Sequence, residues 1–253
     1  MDVFSSDLLY QEHQRILAQS KKEGVDLRLL GALAFELRCR EYANLRVAMG
    51  RTLSDLDYLG LTKQWDEVVK VITSLGYSFD ERRAMLHGHE RLIFFHPDGL
   101  RVDVFFDRLD MCHTIDLRER LAVHDQTIPL SDLLLEKLQI VQITEKDIID
   151  IIILFLAHPV TENESGINAE YIAGRMAWDW GFYHTSLTNL RLVRDQHLPR
   201  FDLLTESQHS LVRARIEEMV QAIERVPKTV KWKLRSKVGT SVKWYKDVGD
   251  LVR

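Results

Sequence analysis

Apolar and polar positions run along this chain in two periods, and the change of period organises it. Over residues 5–22, Leu8, Leu9, His13, Ile16 and Leu17 fall near helical spacing, which predicts a helix. Val25 to Leu30 is a short strand-like run that stops at Gly31, and residues 32–40, rich in Ala, Leu and Arg, return to a helical reading. Residues 53–61 read as a strand. Residues 64–75 then carry Trp65, Val68, Val69, Ile72 and Leu75 as a helical stripe that stops at Gly76.

Two β-rich runs follow, 92–96 and 100–106, around Pro97-Asp98-Gly99, and they predict a hairpin. In its second arm Arg101, Asp103 and Phe105 share one face, while Val102, Val104 and Phe106 share the other. From Ser131 the pattern turns helical. Residues 131–141 have Ser131 as expected N-cap, residues 144–157 have Thr144, and His158-Pro159 ends the second helix. The polar run 161–166 is the expected linker between a domain at 1–160 and a helical region at 161–253, in which 206–223 is the clearest amphipathic stretch. The expected fold class is mixed α+β: a small mixed sheet flanked by helices, then a helical C-terminal region.

Composition narrows the class. At 253 residues and 45% hydrophobic, the chain can bury a sizeable core. Its most apolar segment, 148–157, is interrupted by Asp150 and too short to span a bilayer, so no membrane partner is expected. Residues 1–5 lack the basic start and apolar run of a secretory signal, and Cys39 and Cys112 read as reduced buried thiols. Both features point to the cytoplasm. Charge is unevenly spread. From Arg225 onward nine Lys or Arg face Asp247 and Asp250, a net of +7, so the total of −4 leaves −11 on residues 1–224. A basic tail on an acidic body suits an anionic partner or docking on the body itself.

The candidate chemistry lies in carboxylates. Asp55 and Asp57 are two apart in an apolar setting, so a strand would turn both to one face, and Asp103 sits in a second strand of the same character. Like charges packed together need a cation, and three carboxylates on one sheet face are what a pair of Mg²⁺ ions needs to hold a nucleoside triphosphate. An Asp-x-Asp alone is common at solvated strand ends. Here a glycine closing one strand before a helix, Ser54 beside Asp55, and the later Asp103 make an ordered set. His87-Gly88-His89 has no Cys or carboxylate nearby to complete a zinc set and reads as a hairpin-edge pair. The cluster Trp178-Asp179-Trp180-Gly181-Phe182-Tyr183 reads as helical core rather than a base-stacking platform.

Leu30-Gly31-Ala32, Ser54-Asp55-Leu56-Asp57 and Arg101-Val102-Asp103-Val104-Phe105, in that order, resemble the nucleotidyltransferase superfamily that shares the DNA polymerase β palm, and among its members the stand-alone bacterial and toxin-type enzymes. The similarity covers roughly residues 25–157 and extends into Leu130–Leu138 and Glu145–Ile151. The second residue of the family's Gly-Gly or Gly-Ser pair is Ala32 here; a helix-start N–H can still hold a phosphate. The resemblance implies that Asp55, Asp57 and Asp103 hold two Mg²⁺ ions, with Asp103 also helping to deprotonate the acceptor hydroxyl. It implies that Gly31 and Ser54 line the phosphate turn, that Lys137 neutralises phosphate charge, and that Asp147 positions Lys137 or the nucleotide. Arg51 is expected on either a phosphate or a carboxylate.

The resulting expectation is an enzyme that moves a nucleoside monophosphate from an NTP to a hydroxyl. RNA is the favoured acceptor, because Lys228 to Lys246 alternate with Trp232, Trp244 and Tyr245 in the tail 225–253. The contrasting account of that tail has its tryptophans packed on the body and its lysines in water. A small hydroxylated molecule or a protein hydroxyl are the other acceptors. The alternatives in function are a nucleotide- or RNA-binding module without catalysis, and a toxin or antitoxin-like interaction protein that pairs with an antitoxin or with itself.

Overall fold

The computed structural model describes residues 4–79 and 91–248; His87-Gly88-His89 lies outside them. It is mixed α+β, with a small mixed sheet, and divides into two compact units. The first comprises residues 1–38, 52–110 and 115–129, and the second residues 39–51, 111–114 and 130–253. Residues 130–160, grouped by the sequence reading with the first domain, belong to the second unit.

The first unit opens with α1 (Ser6–Glu23), where the Ser5 hydroxyl accepts from the Leu8 amide and Gly24, at φ +70°, closes the C-terminus in the left-handed conformation. Leu9, His13, Ile16 and Ser20 form its buried stripe. The sheet then takes β1 (Arg28–Leu30), β2 (Leu56–Gly60), β3 (Ser78–Phe79), β4 (Arg91–Phe95) and β5 (Arg101–Phe106) in the order β1-β2-β5-β4-β3. β1 runs antiparallel to β2, and β4 and β5 form the expected hairpin, while β2 and β5 are parallel. Between them lie α2 (Gly31–Arg38) and α4 (Trp65–Ser74), the latter burying Val68, Val71 and Ile72.

Parity on the sheet settles what faces what. Tyr58 on β2 is fully buried and its hydroxyl lies 2.9 Å from His13 Nδ1 of α1. The even-numbered face of β2, with Val102 and Val104 beside it, is thus the one against α1. Asp57 and Asp103 occupy the opposite face. β2 is shorter than expected and begins at Leu56, so Asp55 stands just ahead of the strand.

In the second unit α3 (Ala43–Ala48) precedes α5 (Leu130–Leu138) and α6 (Glu145–Ala157). Every residue of α6 from Ile148 to Leu156 is buried, so it is a core helix with Asp150 at its middle. Thr144 caps it as expected, its amide donating to Asp147 Oδ2. Ser131 does not cap α5. The helix starts at Leu130, and the Ser131 hydroxyl accepts instead from the Asn168 amide. The expected linker at 161–166 is a turn between two short parallel strands, β6 (Val160–Thr161) and β7 (Ile167–Asn168). Four more helices, α7 (Ala169–Met176), α8 (Trp180–Leu192), α9 (Glu206–Arg225) and α10 (Val230–Val238), complete the described part of the unit. Among the described residues no helix is long and apolar enough to cross a membrane. Cys39 and Cys112 are buried and form no disulfide.

Candidate functional site

The parallel pairing of β2 and β5 sets Asp57 directly beside Asp103, and Leu56 beside Val102. Asp55 precedes β2 by one residue and reaches the same face. Oxygens of Asp55, Asp57 and Asp103 all lie within 4.8 Å of one another, so the structure brings the three sequence-chosen carboxylates together. Their surroundings differ. Asp103 has no exposed side-chain surface, whereas Asp55 keeps 19% of its own.

Gly31 joins them through the backbone. β1 pairs Leu30 with Asp57, and the chain turns at Gly31, φ +69°, directly into α2. A Cβ on Gly31 would collide with Asp57 Oδ2, so the position requires glycine for its dihedral and for its closeness to a carboxylate. Ser54, expected on the phosphate turn, gives its hydroxyl to Asp55 Oδ1 at 2.9 Å.

Two arginines that sequence reasoning did not assign complete the cluster. Arg101 Nη2 lies 2.8 Å from Asp103 Oδ2 and 3.2 Å from Asp55 Oδ2, and Arg91 also donates to Asp103 Oδ2. Burial depresses the Arg101 guanidinium, but the carboxylates of Asp103, Asp55 and Asp57 outweigh it and hold Arg101 firmly charged. The signal for Arg101 was present, since it shares the parity of Asp103 on β5; Arg91 becomes relevant only through the antiparallel pairing with β4.

The fit of a divalent cation is decided by Asp103. Its Oδ2 is taken by two guanidiniums, while its Oδ1 is buried with no hydrogen-bond partner among the described residues. A buried carboxylate oxygen without a donor is costly, and an oxygen-seeking hard cation would satisfy it together with Asp55 and Asp57. The donor set could therefore hold a hard divalent cation.

Arg51, Lys137 and Asp147 are in the second unit and gather there around Asp150. Arg51 binds Asp150 through Nε to Oδ1 and Nη2 to Oδ2, both at 3.0 Å, and Arg46 Nη2 adds a contact at 3.1 Å. Lys137 Nζ lies 2.9 Å from Glu136 Oε1 and 3.6 Å from both Asp147 Oδ1 and Asp150 Oδ2. Burial raises the Asp150 carboxyl, but Lys137, Arg51 and Arg46 overcome that and hold it below its ordinary value. Burial likewise opposes charge on Lys137, and Glu136, Asp150 and Asp147 reverse the balance. Arg51, open in the sequence between a phosphate and a carboxylate, is on a carboxylate here. Arg46 carried no local signal, because its partner lies in a distant helix.

The tail is packed on its own unit. Trp244 Nε1 donates to Thr185 Oγ1 at 3.1 Å, the Trp232 ring meets Tyr183 edge-on at 5.0 Å, and the Arg235 guanidinium lies 4.7 Å from the Trp180 ring centroid. Lys231, Lys233, Lys237, Lys243 and Lys246 are exposed. Trp180 and Phe182 are core as expected, whereas Trp178 is 71% exposed.

Comparison with protein-family models, curated proteins and solved structures finds no match to this chain.

Proposed function

We propose that this chain is a Mg²⁺-dependent nucleotidyltransferase built on a polymerase-β-like core. The observation that carries the reading is the convergence of Asp55, Asp57 and Asp103 beside the Gly31 turn, with one buried carboxylate oxygen left for a cation. Asp55, Asp57 and Asp103 would hold the metal, up to two ions, which supplies charge neutralisation for the triphosphate. The turn at Gly31 sets the start of α2, where a phosphate would be held, beside Asp57. Asp103 would also stand close enough to help deprotonate the acceptor hydroxyl. The hydroxyl oxygen then forms its bond to the α-phosphorus, the α–β bridging bond breaks, and pyrophosphate leaves with that electron pair. The acceptor is a hydroxyl compound. With Trp232 and Trp244 packed internally, an RNA acceptor would be held through the exposed tail lysines and its phosphates.

The testing experiment incubates purified protein with each α-labelled nucleoside triphosphate, Mg²⁺ and total cellular RNA, beside Asp57→Asn. Transfer of label by wild type alone supports the reading and names the base. Absence of label in RNA, protein and small-molecule fractions, with nucleotide binding intact, counts against it.

One observation favours a second reading, a nucleotide-binding module without turnover. Arg91 and Arg101 already neutralise much of the carboxylate charge. That reading requires nucleotide affinity to be indifferent to Mg²⁺.

A further inference from the structure

Arg101 stands where a cation would compete with it. It lies two residues before Asp103 on the same face of β5, and the register of β2 against β5 brings Asp55 alongside it. A single nitrogen, Nη2, bridges Asp103 Oδ2 and Asp55 Oδ2 at 2.8 and 3.2 Å. Arg91, the other guanidinium, is braced 4.9 Å from the Phe105 ring centroid. With both in place, three carboxylates face two positive charges, and the cluster carries one net negative charge rather than three. Affinity for a hard divalent cation follows ligand charge, so this balance disfavours a metal ion arriving alone.

The present seat of Arg101 is also incomplete. Its Nε is buried and finds no acceptor among the described residues. Its side chain keeps 22% exposure, whereas that of Asp103 has none. A side-chain rotation can therefore release Arg101 while the strand stays in place. A triphosphate offers the oxygens that a planar guanidinium binds in pairs, and these match its fork better than one nitrogen shared between two carboxylates.

We propose, on the nucleotidyltransferase reading above, that Arg101 is a positioning residue which excludes free divalent cations from Asp55 and Asp103 and exchanges those carboxylates for phosphate oxygens when nucleotide and metal bind together. Metal and nucleotide binding are thereby coupled through one side chain. The coupling is reciprocal: nucleotide raises metal affinity by the factor by which metal raises nucleotide affinity.

The test titrates Mn²⁺, followed by electron paramagnetic resonance, into the full chain with and without an α,β-methylene triphosphate that cannot be cleaved. Arg101→Gln should bind Mn²⁺ alone about tenfold or more tightly than wild type, since one adjacent guanidinium shifts carboxylate affinities by that order. Arg101→Lys, which keeps the charge, should stay within about threefold of wild type by the same reasoning. Wild type should gain Mn²⁺ affinity when the analogue is added, and Arg101→Gln should gain less. Thermal melting of both variants confirms that they fold. Unchanged Mn²⁺ affinity in folded Arg101→Gln, with Asp57→Asn still weakening it, would overturn the role of Arg101 and leave the metal site standing. Mn²⁺ binding indifferent to Asp57→Asn in every background would overturn the carboxylate site itself, and this proposal with it.

Discussion

Arg51 and Asp150 form a two-point ion pair inside the second unit, Nε to Oδ1 and Nη2 to Oδ2, each at 3.0 Å. Both side chains are buried, and the pair is closed on its other sides by Arg46 and Lys137. Such a group is weak evidence of net stability but is expensive to break, because removing one partner strands the others without solvent.

Asp150→Asn should therefore destabilise the protein by about 3–5 kcal/mol in urea unfolding, since three buried cations lose their common carboxylate. The triple variant Asp150→Leu, Arg46→Met, Arg51→Met, which leaves Lys137 with Glu136, should recover part of that loss. Recovery absent, or a single-variant cost under about 1 kcal/mol, would show that the cluster is hydrated and not buried as described. Because the folded Asp150 carboxyl lies below its ordinary value, its contribution is full above about pH 4 and is lost as pH falls through the folded value.

His13 makes a separate acid prediction. Burial lowers it from 6.5 to about 4, so the unfolded chain protonates first as pH drops. Stability should fall between about pH 6.5 and 4 and level off below, by at most about 3 kcal/mol from this residue. Burial lowers His113 to about 4 as well, so it adds a second contribution of the same sign. Melting temperatures from pH 7.5 to 4.5 should show the decline. His13→Gln, which keeps a polar partner for Tyr58, should make it shallower and leave the share of His113.

Gly31→Ala should lose about 1–3 kcal/mol of stability, the strain of a positive φ on an alanine. It should also displace Asp57, whose carboxylate the new methyl would strike. Mn²⁺ affinity in the presence of nucleotide reports the second effect, and an alanine variant with both quantities unchanged would refute the close approach.

Trp244→Phe removes the bond to Thr185 while keeping an aromatic ring, and should cost about 0.5–1.5 kcal/mol of second-unit stability. Trp178→Ser, at an exposed position, should stay within about 0.5 kcal/mol of wild type. Denaturant unfolding of the two variants separates a docked tryptophan from a solvent-facing one in the same unit.

Local signals in the sequence read well where local physics decides. The hairpin around Gly99, with φ +88°, the helix of α1, and the shared parity of Arg101 and Asp103 all follow from neighbours in the chain. Ser131 misled because its hydroxyl is used by Asn168, a partner invisible to local capping rules. The polar run 161–166 misled because Val160 and Ile167 pair as strands across it. Arg46 and Arg91 were missed for the same reason: each acquires meaning from a carboxylate on another element. The three aspartates could be chosen from order and spacing. The guanidiniums that balance them needed the register of the sheet.

The parallel ladder between β2 and β5 gives the aspartate site a history during folding. Asp57 and Asp103 are neighbours in space, yet the chain from 61 to 100 must cross over before they meet. That closure is non-local and slow compared with forming a hairpin or a helix. A chain that ends before residue 103 carries Asp55 and Asp57 but lacks the third carboxylate, the common target of Arg91 and Arg101. The carboxylate cluster thus exists only once β2 and β5 have paired, however much of the chain has been made.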